Sequence, residues 1–208
     1  MPRAPRSPRL GRPPSTNSAD TRQRILDTAR TAFATRGYES ATNRTLGAEA
    51  GITAGALYHY FGSKFDLYLA VYDDVQEQVY RRFNEAVEEP ATFRDQIEAV
   101  LDVAHQMNIE DPTLAQFLGS VRVDMRRHPE LDVALRESTA ARQRFFDRMV
   151  AVGEQTGEID PVDGDRVRAL LLTILIGLTD AVSGSPLRHR NAIDGIKSLL
   201  EGKLIKPI

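Results

Sequence analysis

Apolar residues recur every three or four positions along most of the chain, the spacing that places side chains on one face of an α-helix. The longest of these stripes predicts one long helix over residues 65–88. Further stripes lie within residues 97–104, 114–121, 131–152 and 191–204, and they are separated by Pro112, Pro129 and Pro161. No segment alternates apolar and polar residues as a half-buried strand does, so the sequence predicts an all-α protein.

The region that precedes the long helix contains shorter helical segments. Ser18 or Asp20 is the predicted N-cap of a first helix, in which apolar residues recur at four-residue spacing as far as Phe33. Gly37 is expected to end this helix, because a residue without a Cβ readily leaves the helical conformation.

The next segment predicts two short helices joined by a tight turn. Thr42 can accept hydrogen bonds from the free N–H groups of a helix that runs to about Ala50. Gly51 follows at the corner, where glycine can adopt the left-handed conformation that redirects the chain. Thr53 is the predicted N-cap of the second helix, which ends near Phe61. This connection is typical of a DNA-binding helix-turn-helix.

The second helix of this pair is the predicted recognition helix. Leu57 and Phe61 share its inner face, and its outer face begins with small residues that allow close approach to base edges in a major groove about 12 Å wide. The predicted base-edge contacts are Thr53, Ala54, Gly55 and His59. The predicted phosphate contacts are Thr42, Arg44, Tyr58, Tyr60 and Lys64. An amphipathic helix pair without a DNA partner has the same pattern, and its tyrosines would then be packing residues.

Charge is distributed unevenly along the chain. The whole sequence has 27 Lys and Arg against 29 Asp and Glu, yet residues 1–64 carry ten basic against four acidic residues. The basic excess therefore coincides with the predicted DNA-binding region.

Residues 1–17 are rich in Pro and Arg, and we expect them to form a disordered basic arm that follows phosphates or enters a minor groove. A solvated tail without a partner is the alternative. The arginines of this arm are Arg3, Arg6, Arg9 and Arg12.

The N-terminal sequence resembles a known family. The block LYHYFGSKFDL, the preceding AGITAGA and the helix TRQRILDTARTAFATRGYE are similar to the tetracycline-repressor (TetR) family of bacterial transcriptional regulators over residues 20–70. The resemblance implies a dimeric regulator, usually a repressor. Its three-helix DNA-binding domain, at residues 18–64, would be joined to a helical ligand-binding and dimerisation domain at residues 65–208. Asn43 and Gly47 depart from the family pattern, and glycine is expected to weaken its helix by up to about 1 kcal/mol.

Residues 167–182 are apolar on nearly every side, notably in the run ALLLTILIGL. This run is much shorter than the roughly 20 residues of a membrane span, so we expect no membrane partner. A helix that is apolar all round must be covered by its own domain or by a second chain. In TetR-like proteins the last two helices form a four-helix dimer bundle. The homodimer interface is therefore placed at Leu171, Ile174, Leu175, Leu178, Ile196 and Leu200. A central core helix of a monomer is the alternative.

The resemblance also implies a pocket for an effector in the second domain. Mostly apolar walls with a few polar anchors suit a small hydrophobic molecule. The predicted lining residues are His105, Phe117, Val121, Met125, Phe145, Met149 and Thr179. We expect effector binding to tilt the long helix, so that the two recognition helices of a dimer no longer match a palindromic operator.

Other classes of function find little support in the sequence. The chain has no cysteine and only four histidines, without metal-binding spacing, so we expect neither a metal nor another cofactor. Motifs of nucleophilic catalysis and of phosphate or dinucleotide binding are absent, so we do not expect an enzyme. The cysteine-free composition is compatible with the cytoplasm, where a DNA-binding regulator is expected. A helical ligand-binding or protein-interaction module without DNA binding remains the alternative.

Overall fold

The computed structural model describes residues 18–137 and 139–204, and these residues form helices with no strand. The predicted basic arm, residues 1–17, lies outside the described residues. The α-helices of the described part are α1 (Ser18–Ser40), α2 (Asn43–Glu49), α3 (Ala54–Tyr60), α4 (Lys64–Ala86), α5 (Phe93–Glu110), α6 (Pro112–Arg127), α7 (Pro129–Glu137), α8 (Ala140–Thr156), α9 (Gly164–Gly177) and α10 (Pro186–Leu200). A 3₁₀ turn precedes α9, and a π-helical turn at Leu178–Val182 continues it. The predicted all-α fold is confirmed.

Threonine caps and a left-handed glycine define the two short helices. The Thr42 hydroxyl accepts the N–H of Thr45 at 3.2 Å, and the Thr45 hydroxyl accepts the N–H of Thr42 at 3.1 Å. This reciprocal capping box begins α2. The Thr53 hydroxyl accepts the N–H of Ala56 at 3.1 Å and begins α3. Gly51 has a φ of 70° at the corner between them. The predicted caps and turn are thus confirmed.

Gly47 allows α2 to approach the chain that follows it. A Cβ at this position would lie 3.1 Å from the carbonyl oxygen of Ile52 and 3.2 Å from the main-chain nitrogen of Ala54. Both distances are shorter than ordinary van der Waals contacts. The low helix propensity of Gly47 is therefore accompanied by a close contact between α2 and the start of α3.

Gly37 interrupts α1 and brings its last turn against α6. At Gly37 the backbone has a φ of 75° and a ψ of 170°, after which helical turns resume as far as Ser40. The N–H of Tyr38 donates to both carboxylate oxygens of Asp124, at 3.3 and 3.2 Å. Asp124 is only 3% exposed, and it also accepts the hydroxyl of Tyr68 at 2.9 Å. The predicted helix end at Gly37 is thus a break inside α1 that the carboxylate of α6 stabilises.

A second polar contact holds the opposite end of α6. The buried guanidinium of Arg30 in α1 donates to the carboxylate of Asp111 at 2.6 Å and to the hydroxyl of Thr113 at 3.0 Å. Asp111 is also the N-cap of α6, because its carboxylate accepts the N–H of Thr113 at 3.0 Å. Helix α6 is therefore fixed to α1 at both of its ends.

The hydrophobic core is continuous from α1 through α4 to α6. The ring of Tyr68 lies 4.8 Å from that of Phe33 and 5.4 Å from that of Phe117, between ring centroids. Farther along α4, Val71 and Val75 are fully buried. The predicted long helix is confirmed, and it begins in the N-terminal part of the chain and ends among the helices of the C-terminal part.

His105 of α5 and His189 of α10 form a buried pair. The two side chains are 5% and 2% exposed, and their Nδ1 atoms are 3.2 Å apart. One Nδ1 must donate and the other accept, so at least one ring is neutral. Burial lowers the pKa of both imidazoles, and the charge of Arg190 acts in the same direction. Asp194 and Asp102 oppose this effect at His105.

The histidine pair predicts a loss of stability in mild acid. In the folded protein these pKa values lie below the unfolded value of about 6.5. Between the two values the unfolded chain binds more protons, so the stabilisation present above about pH 6.5 is lost as the pH falls. We expect the melting temperature, followed by circular dichroism, to drop on acidification. The drop should be smaller in the His105→Gln, His189→Gln double variant.

The matched control for this prediction is His59→Gln, because His59 is exposed on α3. This variant should reproduce the pH profile of the parent protein. Equal acid sensitivity of the double variant and the parent would show that the buried pair does not contribute.

Candidate nucleic-acid interface

Buried leucine and aromatic side chains fasten α3 to the body of the protein. Leu57 and Phe61 are 2% and 6% exposed, and Leu46 and Ala50 of α2 are similarly buried. These residues form the buried inner faces of both short helices. The outer face of α3 therefore has no protein against it within the described part of the chain.

The predicted base-edge residues lie together on this outer face. Thr53, Gly55 and His59 are exposed, and Ala54 is half-buried. A Cβ at Gly55 would lie 3.9 Å from the Thr53 hydroxyl, its nearest neighbour. The first turn of α3 is thus a low, open surface whose backbone can approach a partner closely.

The predicted phosphate residues, apart from Lys64, border this surface. Thr42 and Arg44 are exposed at the start of α2, and Tyr58 is 53% exposed on α3. Tyr60 is half-buried, and its ring centroid lies 6.0 Å from that of His59. The border combines hydroxyl groups and a cation, which are the groups that phosphate oxygens accept from.

Lys64 has a different environment. Its ammonium donates to the carbonyl oxygen of Tyr38 at 2.9 Å. The same ammonium lies 4.2 Å from the centroid of the Tyr38 ring. Burial lowers the pKa of Lys64. The side chain therefore links the start of α4 to the last turn of α1, and its contact with phosphate stays a prediction.

Arginines of α1 support the two short helices, and sequence reasoning did not single them out. Arg24 donates to the carbonyl oxygen of Ala50 at 3.1 Å. Arg36 forms a two-pronged ion pair with Glu49, at 2.7 and 2.8 Å. The exposed Arg22 lies 5.1 Å from the ring centre of Phe61, and so places a cation beside the end of α3. These contacts join distant parts of the sequence, so no local pattern indicated them.

The residues predicted to form an effector pocket are divided among several cavities. An outer cavity of about 470 Å³ is lined by Val121, Met125 and Thr179, among others. Thr179 also lines a smaller inner cavity of about 90 Å³, which shares five residues with the outer one. Phe145 and Met149 line separate cavities beside α8. Phe117 is fully buried in the aromatic core, and His105 reaches the inner cavity only through His189.

The residues predicted to form the dimer interface differ in exposure. Leu171 and Leu178 are 7% and 3% exposed within one protomer, so they pack in its own core. The remaining predicted residues are half-buried; these are Ile174, Leu175, Ile196 and Leu200. Leu170 of α9 and Leu199 of α10 were not predicted, yet they are 54% and 52% exposed. The open apolar surface of the last two helices thus includes residues adjacent to those predicted.

Two further classes of site are absent from the described residues. None of their helices is long and apolar enough to cross a membrane. They also contain no group of three or more His, Asp or Glu side chains that could hold a metal ion.

Known proteins resemble this chain. Residues 25–71 match the family model of bacterial regulatory proteins, tetR family. The transcriptional regulator UidR of Escherichia coli K12 is 25% identical over 191 residues, which are 91% of this chain and 95% of UidR. The transcriptional repressor AcnR of Corynebacterium glutamicum is 32% identical over 133 residues, 64% of this chain and 63% of AcnR. The Bacillus subtilis regulator FadR, solved in complex with stearoyl-CoA, has a TM-score of 0.71 at 20% identity, over 85% of this chain and 97% of that one.

The family model spans most of α1, then α2, the turn, α3 and the start of α4, and these elements build and support the exposed surface described above. UidR extends the similarity through the helical C-terminal part. DNA binding and transcriptional regulation follow from this match and from these relatives. Over residues 25–71 the chain matches the TetR family of bacterial transcriptional regulators, and the relatives that extend the match are regulators of transcription.

Proposed function

We propose that this protein is a repressor that binds a palindromic operator as a homodimer and leaves it when a small effector binds. The observation that carries the proposal is the open first turn of α3, where Thr53 and Gly55 are exposed while Leu57 is buried. A helix held in this way can enter a major groove and present its N-terminal residues to base edges. The repressor role is supported by the similarity to AcnR, a transcriptional repressor.

Two copies of the chain are needed for such a site. A single recognition helix contacts only a few base pairs, and a two-fold dimer places two such helices about 34 Å apart, one turn of the duplex. The surface of α9 and α10 supports this assembly. Leu170 and Leu199 are exposed there, and a Cβ built at Gly177 or Gly195 meets no atom within 4 Å. Large apolar and small residues together allow close packing of helices from a second protomer.

Charged substitutions on this surface should separate the protomers. We expect the Leu170→Asp, Leu199→Asp double variant to be a monomer, because dimerisation would bury two unpaired carboxylates. Light scattering after size exclusion measures the mass of the particle. Operator affinity should fall by at least about tenfold, since the second recognition helix no longer contributes. Val162→Asp is the matched control, because Val162 is 76% exposed in the turn before α9. If the double variant remains dimeric, the dimer interface lies on another surface of the protein.

The proposed route from effector to DNA runs through α6 as well as through the long helix α4. Leu118, Val121 and Met125 of α6 line the outer cavity, and both ends of α6 are bound to α1 by Asp111 and Asp124. A molecule that displaces α6 would therefore displace α1 and the short helices packed on it. In thermodynamic terms, the effector favours the conformation that binds operator weakly. The stearoyl-CoA in the FadR structure supports a small-molecule effector.

Gel shifts against the duplex upstream of the protein's own coding region test the proposal. We expect a shifted complex that competing operator removes. One member of a panel of metabolites and lipids should also dissociate this complex. A complex that unrelated duplex removes as readily as operator does would reflect binding without sequence specificity. Complete absence of binding by the dimeric protein would favour a ligand-binding or interaction module without DNA.

A further inference from the structure

The outer cavity has an unusual balance of charge. It lies among α4, α6, α7, α8 and α9, and among the described side chains three arginines line it but no aspartate or glutamate does. The arginines are Arg122, Arg136 and Arg142. Its remaining walls are largely apolar, with two tyrosines, Tyr72 and Tyr80, that are themselves almost fully buried. An apolar cavity with cations and no acid is suited to an anion, because a charge of opposite sign offsets the loss of hydration.

The three arginines differ in their partners. Arg122 forms an ion pair with Asp180, and Arg136 forms one with Asp132 at 2.9 Å. Arg142 is half-buried, and within the described side chains it has no ion pair. Burial raises the pKa of the Tyr72 phenol, and the positive charge of Arg142 opposes this rise. Among the described side chains, Arg142 is therefore the arginine of the cavity that has no carboxylate partner.

The position of Arg142 in its helix points the same way. It lies in the first turn of α8, where the positive end of the helix dipole disfavours a cation. That turn contains no acidic residue, and Thr139 at the N-cap makes no capping hydrogen bond with its side chain. Helix stability thus gives no reason for a cation here. An anion in the outer cavity would interact favourably with both the guanidinium and the helix end.

An independent observation shows that a ligand has polar groups to meet farther inside. Gln76 lines both cavities, is 7% exposed, and its Oε1 has no hydrogen-bond partner within the described part of the chain. Asn108 lines the inner cavity, is 5% exposed, and neither atom of its amide has a partner there. Buried amides are nearly always hydrogen-bonded in folded proteins. Both cavities also share apolar walls at Leu118 and Leu175.

We propose that the effector is an amphipathic organic anion, whose acidic group binds Arg142 in the outer cavity and whose apolar body lies along the shared walls at Leu118 and Leu175. This inference rests on the proposed ligand-responsive function. It adds a negatively charged group to the small hydrophobic effector that the sequence predicts. The acidic group is a carboxylate or a phosphate, since a guanidinium binds both with paired hydrogen bonds. The amides of Gln76 and Asn108 would hydrogen-bond an uncharged polar group on the body of the effector.

Titration calorimetry with probes of equal chain length tests this assignment. The probes are dodecanoate, dodecyl phosphate, dodecanamide and dodecylammonium, each added below its micellar concentration to the full-length protein. We expect one or both anions to bind about 10- to 100-fold more tightly than the amide, the factor that a charge-assisted hydrogen bond provides. Inorganic phosphate alone should bind weakly, because it has no apolar body.

Two variants assign the preference to the cavity. Arg142→Gln should bring the affinity for the anions close to that for the amide. Arg144→Gln should keep the parent's preference, because Arg144 is exposed in the same helix. Equal binding of anion and amide by the parent, or an unchanged preference in Arg142→Gln, would overturn the proposal, and so would failure of every probe to bind. Stronger binding of dodecanoate than of dodecyl phosphate would assign the acidic group as a carboxylate, and the reverse as a phosphate.

Operator binding by the same preparations separates this inference from the function on which it rests. If the protein shifts operator DNA but does not prefer anions, the proposed function is retained and the proposed ligand class is overturned. Protein that binds neither DNA nor probe would lose both.

Discussion

Replacing Gly55 by glutamate is expected to abolish operator binding and to leave the fold intact. Gly55 is exposed in the first turn of α3, and apart from its chain neighbours and the backbone of its own helix, the nearest atom to its Cβ would be the Thr53 hydroxyl at 3.9 Å. A glutamate side chain would therefore project from the outer face, where it would occupy the space of the DNA and add a negative charge opposite the phosphates. We expect operator affinity to fall by at least about 100-fold, a change of roughly 2.7 kcal/mol.

The stability of Gly55→Glu should not fall with its operator affinity. Glycine is about 1 kcal/mol less favourable than ordinary residues inside a helix, and an acidic residue near a helix N-terminus interacts well with the dipole. The melting temperature of Gly55→Glu should thus equal or exceed that of the parent. Fluorescence anisotropy with labelled operator measures the affinity, and circular dichroism measures the melting temperature.

Two further variants complete this test. Gly55→Ala adds one methyl group to the same surface and should lose less affinity than Gly55→Glu. Ala140→Glu adds the same charge at an exposed position of α8 and should bind operator as the parent does. Normal operator affinity in Gly55→Glu would show that the first turn of α3 does not enter the groove.

Replacing Asp124 by alanine is expected to cause the largest loss of stability. Its carboxylate is 3% exposed and accepts the N–H of Tyr38 and the hydroxyl of Tyr68. Without it both donors are buried without a partner, at a cost of about 1–3 kcal/mol each. We expect the free energy of unfolding, from urea titrations, to fall by about 2–5 kcal/mol. The attachment of α6 to α1 should weaken at the same time.

A double-mutant cycle separates the two donors. Tyr68→Phe removes one hydrogen bond and leaves the carboxylate in place, so it should cost about 0.5–1.5 kcal/mol. In the Asp124→Ala background the same substitution should cost less, because Tyr68 has already lost its acceptor. Glu77→Ala, at an exposed position of α4, is the control and should change stability little. Additive effects of Asp124→Ala and Tyr68→Phe would show that the two groups do not interact.

The elements of this protein were predictable because local signals define them. The spacing of Val71 and Val75 identified the long helix, and the hydroxyls of Thr42 and Thr53 identified the starts of α2 and α3. Capping and helical periodicity involve residues at most a few positions apart, and such contacts can be read along the chain. The exposed outer face of α3 followed from the same periodicity once Leu57 was assigned to the inside.

Contacts between distant segments were not predictable in this way. The carboxylate of Asp124 binds the kink of α1, Lys64 binds the carbonyl of Tyr38, and Arg30 binds the start of α6. Each joins residues far apart in sequence, so its existence depends on how the helices pack. The same is true of exposure: Leu170 and Leu171 are adjacent apolar residues, and only packing exposes the first and buries the second.

The sequence by itself determined the helical architecture, the helix-turn-helix and the similarity of residues 25–71 to the TetR family, because these depend on periodicity, caps and a short motif. Only the tertiary structure decided which side chains surround the cavities, which arginine lacks an acidic partner, and how α6 connects the cavity to α1. The physical reason is that burial and pairing arise from the packing of whole helices, and a residue's neighbours in space are not its neighbours in sequence.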